Sequence, residues 1–152
     1  MEVLIVGTGL MGAGMGARLA ERGHQVYGYD KRLESDPNLK EEIMKEGITP
    51  ISHYAQMKHI FPNRKRILIS VPDGAVDSVL REIKPFLSRG DIVMDGGNSD
   101  YLDTRRRAAS LRRRGIYMLG IGVSGGVDGR EMGYCLMVGG KPYAYEIVKP
   151  LL

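Results

Sequence analysis

Residues 3–30 read VLIVGTGLMGAGMGARLAERGHQVYGYD, and the fold is decided there. Val3–Val6 is an unbroken β-branched and leucine run, which is how a parallel strand covered on both faces reads. It stops at Gly7. Leu10, Met11, Met15, Leu19 and Ala20 then recur at roughly helical spacing, Gly23 closes that segment, and Gln25–Tyr29 forms a second strand. Strand, helix and strand in roughly thirty residues make one complete βαβ unit. Within its first turn Gly7, Gly9 and Gly12 stand at GxGxxG spacing, with Thr8, Leu10 and Met11 between them. The first glycine permits the tight turn, the second lets backbone approach a pyrophosphate, and the third lets helix and strand pack closely. Phosphates would lie at the amino end of the helix, where free amides and the positive end of the dipole favour an anion. Asp30 ends the second strand, placed to accept hydrogen bonds from an adenosine ribose and to repel a 2′-phosphate. Lys31 and Arg32 follow it at once, and cations there could instead hold that phosphate, so NAD is favoured and NADP stays open.

The alternation continues outward. The patterns predict helices over Pro37–Glu46 and around His53–Ile60, a buried strand at Ile67–Val71, a helix over Ala75–Leu87 and a strand at Ile92–Met94. A helix over Tyr101–Arg114, strands at Ile116–Leu119 and Tyr134–Val138, and a helix opened by Pro142 complete the series. Such a chain forms an α/β, Rossmann-type, doubly wound and mostly parallel sheet with helices on both faces. One dinucleotide-binding domain is expected over residues 1–152. Tyr145, Val148 and Leu151 keep helical spacing with no glycine or asparagine stop, so the domain reads as truncated within its last helix.

Three further loops follow strands, where open parallel sheets bind their ligands. Val71, Pro72 and Asp73 either border the adenine side or simply end a strand. Asp95, Gly96, Gly97, Asn98 and Ser99 combine flexible backbone with an amide that donates and accepts, or form an ordinary Asx-type turn. Gly122, Val123, Ser124, Gly125 and Gly126 repeat the design, with a hydroxyl and open backbone amides suited to a carboxylate or phosphate.

Bulk properties narrow the classes. At 152 residues, 43% apolar and 26% charged, the chain is an ordinary globular domain that needs no disulfide or structural metal. Its one cysteine, Cys135, and its scattered His24, His53 and His59 supply neither a metal-ligand set nor a disulfide framework, and a reducing cytoplasm is the natural setting. No signal-like leader or membrane-length apolar run is present, so no membrane partner is expected. The net charge of +4 points only weakly to anionic ligands. Six arginines lie between Arg105 and Arg114. On a helix Ala108, Ala109 and Leu111 can face the core while the guanidinium groups stay in solvent or against another domain. Nucleic-acid binding would have no use for the glycine turn, and aromatic platforms interleaved with the arginines are absent, so no nucleic-acid partner is expected.

Together these segments resemble the 6-phosphogluconate dehydrogenase family from Gly7 to about Lys149. The most specific stretch is DGGNSDYLDTRR at Asp95–Arg106, followed by GVSGG at Gly122–Gly126 and LMVGG at Leu136–Gly140. The wider β-hydroxyacid dehydrogenase superfamily shares the glycine-rich start and a VSGG loop, but usually has another segment where DGGNS stands here. The resemblance implies oxidative decarboxylation of 6-phosphogluconate to ribulose 5-phosphate, a step of the pentose phosphate pathway, with hydride passing to a nicotinamide. Gly7–Gly12 would hold the pyrophosphate, Asp30–Arg32 the adenosine ribose, and Val71–Asp73 would line the cofactor. Asn98 would lie between nicotinamide and substrate, and Ser124, Gly125 and Gly126 would bind the substrate near its carboxylate.

Two departures from the family matter. Members that use NADP typically carry Asn-Arg-Thr where this chain has Asp30, Lys31 and Arg32, so the acid favours NAD. The family's catalytic lysine and glutamate, its substrate-phosphate ligands and its dimer interface belong to a later all-helical part that this chain lacks. No catalytic residue is therefore expected here: the chain alone would bind cofactor with little or no turnover, and a homodimer or higher homo-oligomer belongs to the full-length protein. Another β-hydroxyacid dehydrogenase of the 3-hydroxyisobutyrate type and a non-catalytic cofactor-sensing or nucleic-acid-binding module are the alternatives.

Overall fold

The alternating side chains of β1 (Glu2–Val6) set the architecture. Val3 and Ile5 point to one face of the sheet, Leu4 and Val6 to the other, and all four are buried, so both faces had to be covered. The structure, a computed structural model, describes residues 1–152. After β1 come α1 (Leu10–Glu21), β2 (Gln25–Tyr29), α2 (Pro37–Lys45), β3 (Ile48–Pro50) and α3 (Met57–Ile60). The second half runs β4 (Arg66–Ile69), α4 (Asp73–Ile83), β5 (Ile92–Asp95), α5 (Tyr101–Arg112), β6 (Tyr117–Ser124), α6 (Gly129–Met132), β7 (Cys135–Gly139) and α7 (Pro142–Val148).

Seven strands form one sheet in the order β3-β2-β1-β4-β5-β6-β7. All neighbours are parallel except β7, which runs antiparallel to β6. Two cores of 17 buried residues lie on its opposite faces. On one, Met15 and Leu19 of α1, Leu39 and Ile43 of α2 and Val148 of α7 cover Val3, Ile5 and Met94. On the other, Val76, Leu80 and Ile83 of α4 and Leu111 of α5 cover Leu4, Ile67 and Val93. Each fully buried aliphatic side chain stabilises the fold by about 1.5–3 kcal/mol. The α/β, doubly wound reading therefore holds.

Several expected boundaries shift, each for a local reason. β3 has no counterpart in the sequence reading because it is three residues long and contains Pro50; as the edge partner of β2 it can do without that amide. β6 extends through Gly120 and Gly122 to Ser124, twice the expected strand. Glycines read as a loop there, but Gly120 lies against Thr104 of α5 and Gly122 against Met137 of β7, close approaches that a side chain would crowd. Gly122, Val123 and Ser124 are thus strand, and only Gly125 and Gly126 form the turn. The strand expected to reach Val71 ends at Ile69, and the next helix begins at Asp73, earlier than Ala75. α7 closes at Val148 and gives way to a 3₁₀ turn at Lys149–Leu151, so the helix does not run on to the last residue; Pro150 sits in that turn without an amide to offer.

Candidate functional site

β1 pairs with β2 on one side and β4 on the other, so the crossovers leave in opposite directions and a crevice opens at the carboxyl ends of these strands. The glycine turn occupies that point. Gly7 has φ +92°, and its amide donates to the Tyr29 carbonyl at 2.8 Å. A side chain at Gly12 would overlap the Gly7 carbonyl, so only glycine lets α1 start this close to β1. Gly9 is the N-cap of α1 without a side-chain cap, and the amides of Leu10, Met11 and Gly12 find no protein acceptor. A cradle of unused donors at the positive end of a twelve-residue helix fits the pyrophosphate of a dinucleotide.

Asp30 is drawn into this turn. Its carboxylate accepts from the Thr8 amide at 3.0 Å, and from the amide, Nε and Nη2 of Arg32 at 3.1, 2.9 and 2.8 Å. Hydrogen bonds from the Arg32 side chain, then those from the Arg32 and Thr8 amides, hold the Asp30 carboxyl below its ordinary range against the opposing effect of burial. Lys31 donates to Glu82 at 2.8 Å, which raises its pKa. Both cations after Asp30 are therefore engaged by carboxylates. A cleft of about 420 Å³ lies beside them, bounded by Gly7, Gly9, Asp30, Val71 and Pro72. Ala75, Ser78 and Val79 of α4 and Tyr54 also line it, and the sequence reading missed all four. Tyr54 packs its ring 4.1 Å from that of Tyr29, and burial raises the pKa of both phenols. The aromatic residue before Asp30 was the one signal that could have pointed there.

The turn after β5 is held by side chains. Asn98 is the one non-glycine residue with positive φ, at 54°. Its Nδ2 donates to the Val123 carbonyl at 3.1 Å and its Oδ1 accepts from the Val123 amide at 2.8 Å, so the amide stands in for a neighbouring strand where β5 has ended. The Gly97 amide donates to Asp95 at 3.1 Å. Asn98 is thereby tied to Val123, the residue before Ser124, while Ser124, Gly125 and Gly126 themselves line neither cleft. Asn98, Ser99, Thr104, Arg105, Gly120 and Gly122 line a second cleft of about 450 Å³. Val71 lines the first cleft, and its carbonyl lies so close to Gly97 of the turn after β5 that a side chain there would meet it at 2.6 Å.

The arginine run corrects the sequence reading. Arg107 is 3% exposed, although its neighbours were expected to fill the core, and Ala109 faces solvent. Its guanidinium donates to Asp73, Asp77, Asp95 and Ser99. Burial opposes the charge, but the carboxylates of Asp77 and Asp73 outweigh it and the Arg107 pKa is raised. Asp77, gripped by Arg106 and Arg107, has its carboxyl lowered to about 2. No group of three or more histidine, cysteine or acidic side chains is arranged to hold a metal, and no helix is long and apolar enough to cross a membrane. His24 touches the amino terminus and the Pro150 carbonyl, while His53 caps the turn before α3; neither lines these clefts.

Residues 2–152 match the family model described as the NAD binding domain of 6-phosphogluconate dehydrogenase. The chain belongs to this family. A Bacillus subtilis protein provisionally named a 6-phosphogluconate dehydrogenase is 40% identical over 99% of the chain, and the match covers 50% of that relative. The NAD(+)-dependent, decarboxylating 6-phosphogluconate dehydrogenase of the same organism is 34% identical over 97% of the chain and 32% of the relative. Among solved structures, Plasmodium falciparum 6-phosphogluconate dehydrogenase superposes with a TM-score of 0.89 at 25% identity, covering all of this chain and 33% of that one. Mycobacterium tuberculosis 3-hydroxyisobutyrate dehydrogenase shares the fold, with a TM-score of 0.83 at 22% identity over 99% of this chain and 50% of that one. The chain thus spans from about a third to half the length of the relatives it matches, and it is an NAD-binding domain of the 6-phosphogluconate dehydrogenase family.

Proposed function

We propose that this domain serves a dehydrogenase that oxidises and decarboxylates 6-phosphogluconate to ribulose 5-phosphate, with NAD preferred over NADP. The observation that carries the preference is the Asp30 carboxylate, fixed at the end of β2 by the Thr8 amide and facing the cleft. A ribose 2′-hydroxyl can donate to it; a 2′-phosphate would meet like charge, and Lys31 and Arg32 are already paired with Glu82 and Asp30. A B. subtilis relative named as NAD(+)-dependent supports the reading, whereas the Plasmodium enzyme was solved with NADP+.

In this reading Gly7, Thr8, Gly9, Leu10, Met11 and Gly12 hold the pyrophosphate, Asp30, Lys31 and Arg32 border the ribose, and Val71, Pro72 and Asp73 form a wall of the cleft. Asn98 stands between nicotinamide and substrate, and Ser124, Gly125 and Gly126 receive the substrate carboxylate. The bound nicotinamide supplies the hydride acceptor. The base and acid, a lysine and a glutamate in the family, come from outside these residues, so the domain alone binds cofactor without measurable turnover. A soluble, cytoplasmic homo-oligomer acting on 6-phosphogluconate is the setting we assign to the whole protein.

Calorimetric titration with NAD and NADP at two salt concentrations, beside Asp30→Ala, tests this. NAD should bind more tightly than NADP, and the substitution should weaken NAD about tenfold while freeing Arg32 to improve NADP. Tighter, salt-sensitive NADP binding by the unsubstituted chain would overturn the preference.

A further inference from the structure

No role in holding cofactor or substrate falls to Arg107, yet it is 3% exposed, and burying a guanidinium is costly unless it is paired and hydrogen-bonded. It lines neither cleft. From α5, behind both, its Nη1 donates to Ser99 Oγ at 2.8 Å, Asp73 Oδ1 at 3.1 Å and Asp95 Oδ2 at 3.3 Å. Its Nη2 donates to Asp77 Oδ2 at 3.2 Å and to the Asp73 carbonyl at 3.4 Å. Those acceptors come from three places along the chain: the first two turns of α4, the end of β5, and the turn after β5.

Each piece frames a cleft. Asp73 follows Pro72, which walls the cleft beside Asp30; Ser99 follows Asn98 and lines the second cleft. Both Asp73 and Ser99 reach the same nitrogen, so one planar group ties the two loops to a common point. A core that needed only filling would hold an aliphatic residue here, as Leu111 does one turn later on the same helix. A lysine, with one compact charge, could not span acceptors spread across both terminal nitrogens.

We propose that Arg107 is a positioning residue that fixes the separation between the α4 loop and the Asn98 turn, so that one extended dinucleotide can engage both together. The proposal rests on reading the cleft as a dinucleotide site, and the test separates the two. ADP spans only the adenosine half; NADH spans both. For the unsubstituted chain, NADH should bind more tightly than ADP, with a change in nicotinamide fluorescence.

Arg107→Ala should leave ADP affinity within about twofold and lower NADH affinity about tenfold, the scale of unpaired hydrogen-bonding groups at a partly buried site. Millimolar methylguanidine should restore NADH binding, while Arg107→Lys should not. Because Arg107→Ala leaves the buried Asp95 carboxylate without its ion-pair partner and could fail to fold, Ser99→Ala provides a second measure. It removes one tie, keeps every charge paired, and should reduce NADH binding about threefold with thermal stability unchanged. Parallel losses of ADP and NADH in Arg107→Ala, or an unchanged NADH-to-ADP ratio in a folded Arg107→Ala or in Ser99→Ala, would overturn the proposal. Failure of the unsubstituted chain to bind either ligand would remove the cofactor reading itself, and the positioning role with it.

Discussion

The turn after β1 and the turn after β5 lie in one row at the carboxyl ends of the sheet, yet they are built in opposite ways. The first is made by leaving side chains out: Gly7 takes a positive φ, Gly12 has no room for a methyl group, and the amides opening α1 are left unused. The second is made by putting side chains in. Asn98 replaces a missing strand, Asp95 receives Gly97, and Arg107 reaches from another helix to grip the turn and its neighbour. In the function proposed above, the pyrophosphate needs exposed donors and close backbone approach, which glycine gives; a nicotinamide and a small substrate need a wall of fixed shape, which cross-linking gives.

The contrast can be tested by the kind of substitution each turn tolerates. Gly12→Ala should have the largest effect, costing about 3 kcal/mol or more of unfolding free energy and abolishing NADH binding, because the overlap is with backbone that cannot move aside. Gly9→Ala in the same turn should change stability by less than about 1 kcal/mol, since nothing lies nearer its missing methyl than the Arg32 guanidinium at 3.9 Å, yet it should still weaken binding. Urea denaturation of both, with NADH titration, checks the pair; equal stability losses would erase the distinction between packing and ligand approach.

Asn98→Ala should cost about 1–2 kcal/mol through two lost hydrogen bonds to Val123, and Asn98→Gly should recover part of that because glycine adopts φ 54° freely. If glycine is no better than alanine, the backbone there is not strained and the clamp alone accounts for the residue. The smallest effect concerns Asp77. Its carboxyl is held at about 2 against an ordinary 3.8, so the folded state favours the ionised form; the resulting stability is complete above the ordinary value and is lost as pH falls toward 2. Thermal melts of the unsubstituted chain and Asp77→Asn should differ modestly at neutral pH, because Asp77 is more than a third exposed, and converge between about pH 4 and pH 2. A gap that widens on acidification would reverse the sign and remove the ion pairs as its cause.

The same contrast explains what could be read without coordinates. The glycine turn and Asp30 announce themselves because everything they do is written within about thirty residues, at fixed offsets. So does the order of strands and helices, since burial on both faces leaves unbroken apolar runs. The side-chain-built turn is hidden. Asn98 meets Val123 and Arg107 meets Asp73, 25 and 34 residues apart, and no local pattern marks either pair. Three arginines in a row look alike in sequence; only the rotation of α5 against Asp95 decides that the third goes inside. The glycine-bearing half of β6 escaped notice because strand propensity measures side-chain packing, and there it is the neighbours, Thr104 and Met137, that supply the packing, whereas β3 is only three residues long and contains Pro50.

The sheet order carries a last consequence, for how the molecule assembles. β1 finds β2 across a short connection, but its other neighbour, β4, lies about sixty residues downstream, so that pairing closes a long loop and forms against a larger entropic barrier. The crevice lies along this seam. A chain caught with only its first βαβ unit folded would already own the glycine turn and lack the opposite wall at Val71 and Pro72. Ligand capture would then serve as a proofreading signal, reporting that the two halves of the sheet have zipped together.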